Sequence, residues 1–322
     1  MPVGGVRGDI QMGFYAMGSH DIVQGTNCPI QDDGNNRIAQ ICYDIAKELD
    51  VEPYDEHTGK GVLRHVIGRI GQSGWMVILV TATDYLPQHE EWVKNITNRI
   101  PQVETIVHNV NGKRTNVILG AKNNILYGDG TITDHIKDLR FTLSPHSFFQ
   151  VNPEQTTVLY DQALAYADLK GDEIVIDAYC GTGTISLFLA HKAKHVIGIE
   201  IVEPAIINAR ENARRNGYDN TEFIVADAAV EMPKLYKAGV RPDVIVFDPI
   251  RAGCKEEVLI SAASMEPNRI VYVSCNPATM ARDIEILTHY GYELQEVQPV
   301  DMFPMIAHVE AVALLTRNEV TQ

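Results

Sequence analysis

The chain has 322 residues, 45% of them hydrophobic, with 42 acidic against 27 basic side chains, which is enough for a sizeable core and two domains and excludes a disordered polymer. Apolar runs such as Ile174–Ile176 and Met76–Val80 stop far short of the ~20 residues that span a bilayer, so no membrane partner is expected. A net charge of −15 argues against a broad basic surface that would hold nucleic acid by phosphate neutralisation.

Pro2, Gly4, Gly5 and Asp9 replace the basic start and apolar stretch of a secretory signal, so a cytoplasmic location is the expectation. These residues do not read as a clean domain start, so the chain reads as a piece of a longer protein. Cys28, Cys42, Cys180, Cys254 and Cys275 are scattered without paired spacing, which fits free thiols, and no zinc pattern marks a metal site. Along the chain, Asn35–Leu49 has the apolar spacing of a helix, and Val62–Gly71 and Trp75–Thr83 read as strands joined by a glycine-containing turn. Glu90–Arg99 is a helix stopped by Pro101, and strands follow over Val103–Val110, Asn116–Leu119 and Leu139–Leu143. This half, residues 1–140, predicts a small α+β domain.

From Asn152 the pattern changes. Asn152-Pro153 places a helix cap before a proline at the first helical position, with apolar residues at helical spacing to Leu169. Strands are then expected at Ile174–Asp177, His195–Glu200, Phe223–Ala226, Asp243–Asp248 and Arg269–Ser274, and helices at Thr184–His191, Pro204–Asn216 and Met280–His289. Alternation of this kind predicts a doubly wound, Rossmann-like α/β domain over residues 141–322, with a parallel sheet covered on both faces.

The first strand of that domain runs into Asp177-Ala178-Tyr179-Cys180-Gly181-Thr182-Gly183-Thr184. Gly181 and Gly183 allow a sharp turn and leave room for a ligand. Ser186 stands where a dinucleotide fingerprint would place its third glycine or alanine, so a nicotinamide cofactor is the weaker reading. Glu200 ends the next strand, where an acid can accept both hydroxyls of a ribose, and Asp227 follows the third strand, placed to meet an adenine amino group. Each residue alone would pass for ordinary packing or a solvated strand end. In series they point to a methyltransferase-type nucleotide site for S-adenosylmethionine.

A further buried strand delivers Cys275-Asn276-Pro277 to the same sheet edge, joined by Asp248-Pro249-Ile250-Arg251 and by His308-Val309-Glu310. This constellation resembles the RNA uracil-C5 methyltransferase family over residues 141–317. Ser147-Phe148-Phe149-Gln150-Val151-Asn152 resembles the segment before the family's catalytic domain, and Gly13-Phe14-Tyr15, Ser19-His20 and Cys28-Pro29-Ile30-Gln31 look like its central domain. The nearest likeness is to bacterial members acting on 23S ribosomal RNA. The resemblance implies that S-adenosylmethionine is held by Gln150, Tyr179, Glu200 and Asp248, that Cys275 adds to carbon 6 of uracil, and that Glu310 removes the carbon 5 proton. Asp248 would accept from the ring N3–H. His308 would be a packed neighbour, and Arg251 would hold the Asp248 loop or a phosphate.

Two positions depart from the family's pattern: Ile250 replaces a second proline, and Met305-Ile306 replaces a polar pair. Both bear on the pocket for a flipped base rather than on reacting atoms. Cys28 resembles the last ligand of the iron–sulfur cluster some members carry, but one cysteine builds none, so no cluster is expected. RNA would be held by local basic residues, shape and the extracted base. The rival readings are a tRNA uracil-C5 methyltransferase, a non-catalytic RNA-binding module, and a nicotinamide oxidoreductase.

Overall fold

The computed structural model describes residues 1–147, 149–150 and 152–318; Phe148 and Val151 of the segment quoted above lie outside the described residues. The chain divides into two compact units, Met1–Asp134 with Thr142–His146, and His135–Phe141 with the chain from Ser147 onward.

In the first unit β1 (Val3–Val6), β2 (Asp9–Tyr15) and β3 (Ile22–Gln24) form an antiparallel meander. Helix α1 (Asp33–Glu48) follows, capped by Asp32, whose carboxylate accepts from the Gly34 N–H at 2.7 Å. Ile38, Cys42 and Ile45 share its buried face. Strands β4 (Leu63–Ile70), β5 (Trp75–Thr81), β6 (Val103–Val110) and β7 (Lys122–Tyr127) form a sheet in that order, parallel only between β5 and β6, where α2 (His89–Arg99) makes the crossover. Trp92 and Ile96 of α2 meet Ile38, Ile45, Leu79 and Ile106 in one core.

The strand expected over Asn116–Leu119 is absent, and the pairing occurs instead at β7. Asn111 Nδ2 donates to the Val117 and Ile118 carbonyls at 2.6 and 3.0 Å, and Asn109 Nδ2 to that of Gly120 at 2.8 Å. Side-chain amides thus take the acceptors a ladder would have used.

Strands β8 (Ile132–Ile136) and β9 (Leu139–Leu143) form a pair divided between the units. The second unit continues with α3 (Pro153–Ala167), where Asn152 Oδ1 accepts from the Gln155 N–H at 3.3 Å. Strands β10 (Ile174–Asp177), β11 (His195–Glu200), β12 (Thr221–Val225), β13 (Val244–Phe247) and β14 (Arg269–Ser274) then alternate with helices α4 (Thr184–Ala190), α5 (Glu203–Arg215), α6 (Ala228–Lys237) and α7 (Glu256–Ser264). Helix α8 (Pro277–His289) and strands β15 (Tyr292–Val300) and β16 (Glu310–Arg317) complete the unit. Sheet order is β12-β11-β10-β13-β14-β16-β15. The first five strands are parallel, as expected; β16 enters antiparallel between β14 and β15, so the sheet is mixed rather than wholly parallel.

The central parallel strands β10, β13 and β14 are short, mainly Ile and Val runs buried on both faces, as a sheet sandwiched by helices requires. Strand order reverses between β10 and β13, and a crevice opens there beyond the carboxyl ends of the strands. Among the described residues no helix is long and apolar enough to cross a membrane.

Candidate active site

A cavity of about 960 Å³ occupies that crevice. Gln150, Tyr179, Gly181, Glu200, Asp227, Asp248, Cys275 and Glu310 all line it; of the residues singled out from the sequence as site members, Gly183 does not. Both glycines have positive φ, 53° and 82°. A Cβ on Gly181 would meet open space, whereas one on Gly183 would lie 3.1 Å from Ala209 Cβ and 3.2 Å from the Phe223 ring. Gly181 therefore clears room for the ligand, and Gly183 lets α5 and β12 close up behind the turn.

Three strands deliver the carboxyl groups. Asp177 closes β10, fully buried; its Oδ2 accepts from Ser186 Oγ at 2.6 Å, and its Oδ1 has no hydrogen-bond partner among the described residues. Burial pushes this acid up to about 6, Ser186 pulling against it. Asp248 follows β13, and burial, then the charges of Asp177 and Glu310, push it up to about 8. Glu310 opens β16 and is raised by burial, with Arg251 opposing. It is 9% exposed, so it is no surface acid.

Cys275 comes from the end of β14. In the antiparallel ladder Ser274 pairs with Ala311, and this register carries Cys275 one step outward to face Glu310. The thiol is half-buried and raised by burial first and by Glu310 second, with the Arg251 guanidinium countering. His308, expected as a packed neighbour, is exposed and does not line the cavity. Arg251 does line it.

Glu200 is oriented by the Val202 N–H, which donates to Oε1 at 2.9 Å. Asp227 caps α6 through the Ala229 N–H at 3.0 Å and pairs with Lys255 Nζ at 2.8 Å; Lys255 first, then the backbone N–H, holds it below the usual carboxylate range. Lys255, Tyr160 and Phe303 also line the cavity and were not legible as site residues, because they lie on elements without motif spacing. Asp177 was visible within the glycine motif, but only its burial and orphaned oxygen mark it as a ligand-facing acid.

A buried carboxyl with an unpartnered oxygen on a cavity wall, that of Asp177, suits a cationic ligand. Glu200 and Asp227, at the ends of adjacent strands, suit a ribosyl and adenine group beside it. Among the described residues no three His, Cys, Asp or Glu side chains converge as metal ligands would.

The family profile described as tRNA (Uracil-5-)-methyltransferase matches residues 77–318. An RNA methyltransferase of Halalkalibacterium halodurans is 51% identical over 317 residues, 98% of this chain and 69% of that protein. One of Clostridium acetobutylicum is 50% identical over 321 residues, again 98% and 69%. Among solved structures, the Pyrococcus abyssi tRNA (uracil-54, C5)-methyltransferase in complex with S-adenosyl-L-homocysteine superposes with a TM-score of 0.79 at 28% identity, covering 98% of this chain and 75% of that one.

Proposed function

Because the chain belongs to the RNA uracil-C5 methyltransferase family and is an S-adenosylmethionine-dependent RNA methyltransferase, we propose that Cys275 is its nucleophile, Glu310 its base, and uridine in ribosomal RNA its substrate. The observation that carries the residue roles is the β14–β16 register, which sets a thiol opposite a buried carboxyl on one cavity wall.

Uracil carbon 5 is too weak a nucleophile to be methylated unaided. Addition of the Cys275 sulfur to carbon 6 moves electron density through the ring to carbon 5. S-adenosylmethionine would be held by Gln150, Tyr179, Glu200 and Asp227, with Asp177 and Asp248 on the same cavity wall, and would supply a sulfonium methyl whose C–S bond breaks as carbon 5 bonds to it, leaving a neutral thioether. Glu310 then takes the carbon 5 proton; the electron pair of that C–H bond re-forms the C5–C6 double bond, and the Cys275 sulfur leaves as thiolate. Asp248 would accept from the uracil N3–H once the positive charge of the bound ligand has lowered its proton affinity and it has released to solvent the proton that burial makes it keep.

Cys275→Ala is expected to abolish methylation while sparing cofactor binding, measured by tritium transfer and by equilibrium binding of labelled S-adenosylmethionine. Retained turnover would overturn the nucleophile. A tRNA substrate is the second reading, favoured by the likeness to the Pyrococcus abyssi enzyme. Mass mapping of ribosomal and transfer RNA after incubation with protein and cofactor separates the two.

A further inference from the structure

Helix α8 carries a buried acid that the methyl-transfer chemistry leaves unused. Asp283 is 0% exposed. Its Oδ2 accepts from the Cys254 N–H at 2.7 Å and the Tyr272 hydroxyl at 2.6 Å, and its Oδ1 accepts from Arg282 Nε and Nη2 at 2.8 and 2.6 Å. Arg282 Nη2 reaches on to the Ala252 and Cys254 carbonyls at 3.0 and 3.3 Å. One turn earlier, Asn276 Nδ2 and Thr279 Oγ1 both donate to the Arg251 carbonyl, at 3.1 and 3.2 Å.

Every one of these bonds to main chain ends on the loop that leaves β13. That loop begins with Asp248, presents Arg251 to the cavity and passes through Gly253, whose φ is +78° and whose added Cβ would sit 2.6 Å from both Arg282 Nη2 and Asp283 Oδ2. The loop therefore lies flat on the arginine–aspartate pair, and no side chain fits between. The helix that grips it starts two residues after Cys275. A buried carboxylate accepting from a backbone N–H, a phenol and a guanidinium is a stiff junction, since its movement would strand the buried Cys254 N–H and Tyr272 hydroxyl.

We infer that Asp283, Arg282 and Thr279 are positioning residues, clamping the Asp248–Cys254 loop to the first turns of α8 so that Arg251 and Asp248 are held at a fixed place beside the Cys275 thiol. The inference rests on Cys275 being the nucleophile. A network that merely stabilised the fold would act on melting temperature alone; a clamp sets the guanidinium–thiol spacing and so the ease with which Cys275 ionises.

The test measures the pH dependence of Cys275 alkylation by iodoacetamide in the full chain, located by peptide mass mapping, alongside kcat for methyl transfer. Thr279→Val, Arg282→Lys and Asp283→Asn are each expected to move the alkylation midpoint upward by about one pH unit, leaving roughly tenfold less thiolate at pH 7, and to lower kcat about tenfold. Should Asp283→Asn fail to fold, Thr279→Val decides, because it removes only what one half-buried hydroxyl shares between the Arg251 and Asn276 carbonyls. Variants that melt earlier yet keep the wild-type alkylation profile and kcat would overturn the clamp. Methylation surviving in Cys275→Ala would instead overturn the nucleophile, whatever the alkylation profiles show.

Discussion

Cys275 rests in surroundings that oppose its own ionisation: burial and the neighbouring Glu310 raise it, and Arg251 alone pulls the other way. Two consequences of Glu310→Gln follow. With the neighbouring acid neutralised, alkylation of Cys275 at pH 7 is expected to run faster than in wild type, whereas turnover stalls after methyl transfer, at proton removal, so the covalent RNA–protein adduct accumulates on a denaturing gel. Slower alkylation together with no adduct would remove Glu310 from both roles. Asp248 gives a pH signature. Its folded value, about 8, lies far above that of an exposed aspartate, so the stability it contributes is present below about pH 4 and is lost as pH rises through 8. Asp177, at about 6, loses its share earlier. Asp248→Asn should therefore melt close to wild type at pH 4 and more than ~3 °C above it at pH 9 without ligand, as scanning calorimetry would show; a gap that stays constant with pH would contradict the buried-acid account.

Asn152 illustrates what a single cap does for an element. It closes the first turn of α3 and, through Nδ2, donates to the Met302 carbonyl at 2.9 Å, tying that helix to the segment leading into β16. Asn152→Ala is expected to cost about 1 kcal/mol, read as a lower urea midpoint with an unchanged slope. The cap was legible in the sequence because Asn-Pro is an unambiguous start signal, and α1, α2, β6 and the five parallel strands were legible because their apolar periods are clean. Others left no such trace. β15 is an exposed edge strand with Glu293, Glu296 and Pro299 along it and burial only at its two ends, so nothing alternates. α6 contains Pro233, which argues against a helix until the fold overrides it. The site divides along the same line: residues at strand ends in motif spacing could be read, whereas Tyr160, Phe303 and Lys255 became visible only once the strands were assembled around one cavity. The loop–helix clamp at Asp283 had no sequence signal at all, because an acid in mid-helix reads as solvent-facing.

Across the whole chain, the net charge of −15 sets how RNA is held. Few phosphates can be neutralised by such a protein, so the logarithm of its RNA association constant should fall with the logarithm of salt with a slope no steeper than about −3, unlike the value near −10 of strongly basic binders. Fluorescence anisotropy across a salt series measures it, and a steep slope would reveal a concentrated basic track. On the proposed function, recognition would then rest on shape and on a base extracted into the cavity. The insertion of β16 between β14 and β15 has a consequence in time. Glu310 and the strand that seats it follow β14 and β15 in the chain and must slot into a gap flanked by those two earlier strands, so a growing polypeptide carries the proposed sulfur nucleophile before the proposed base. Until β16 has paired, a chain with these proposed roles can at most grip a pyrimidine, never release it methylated: seating of that strand is the step that switches the proposed pair on.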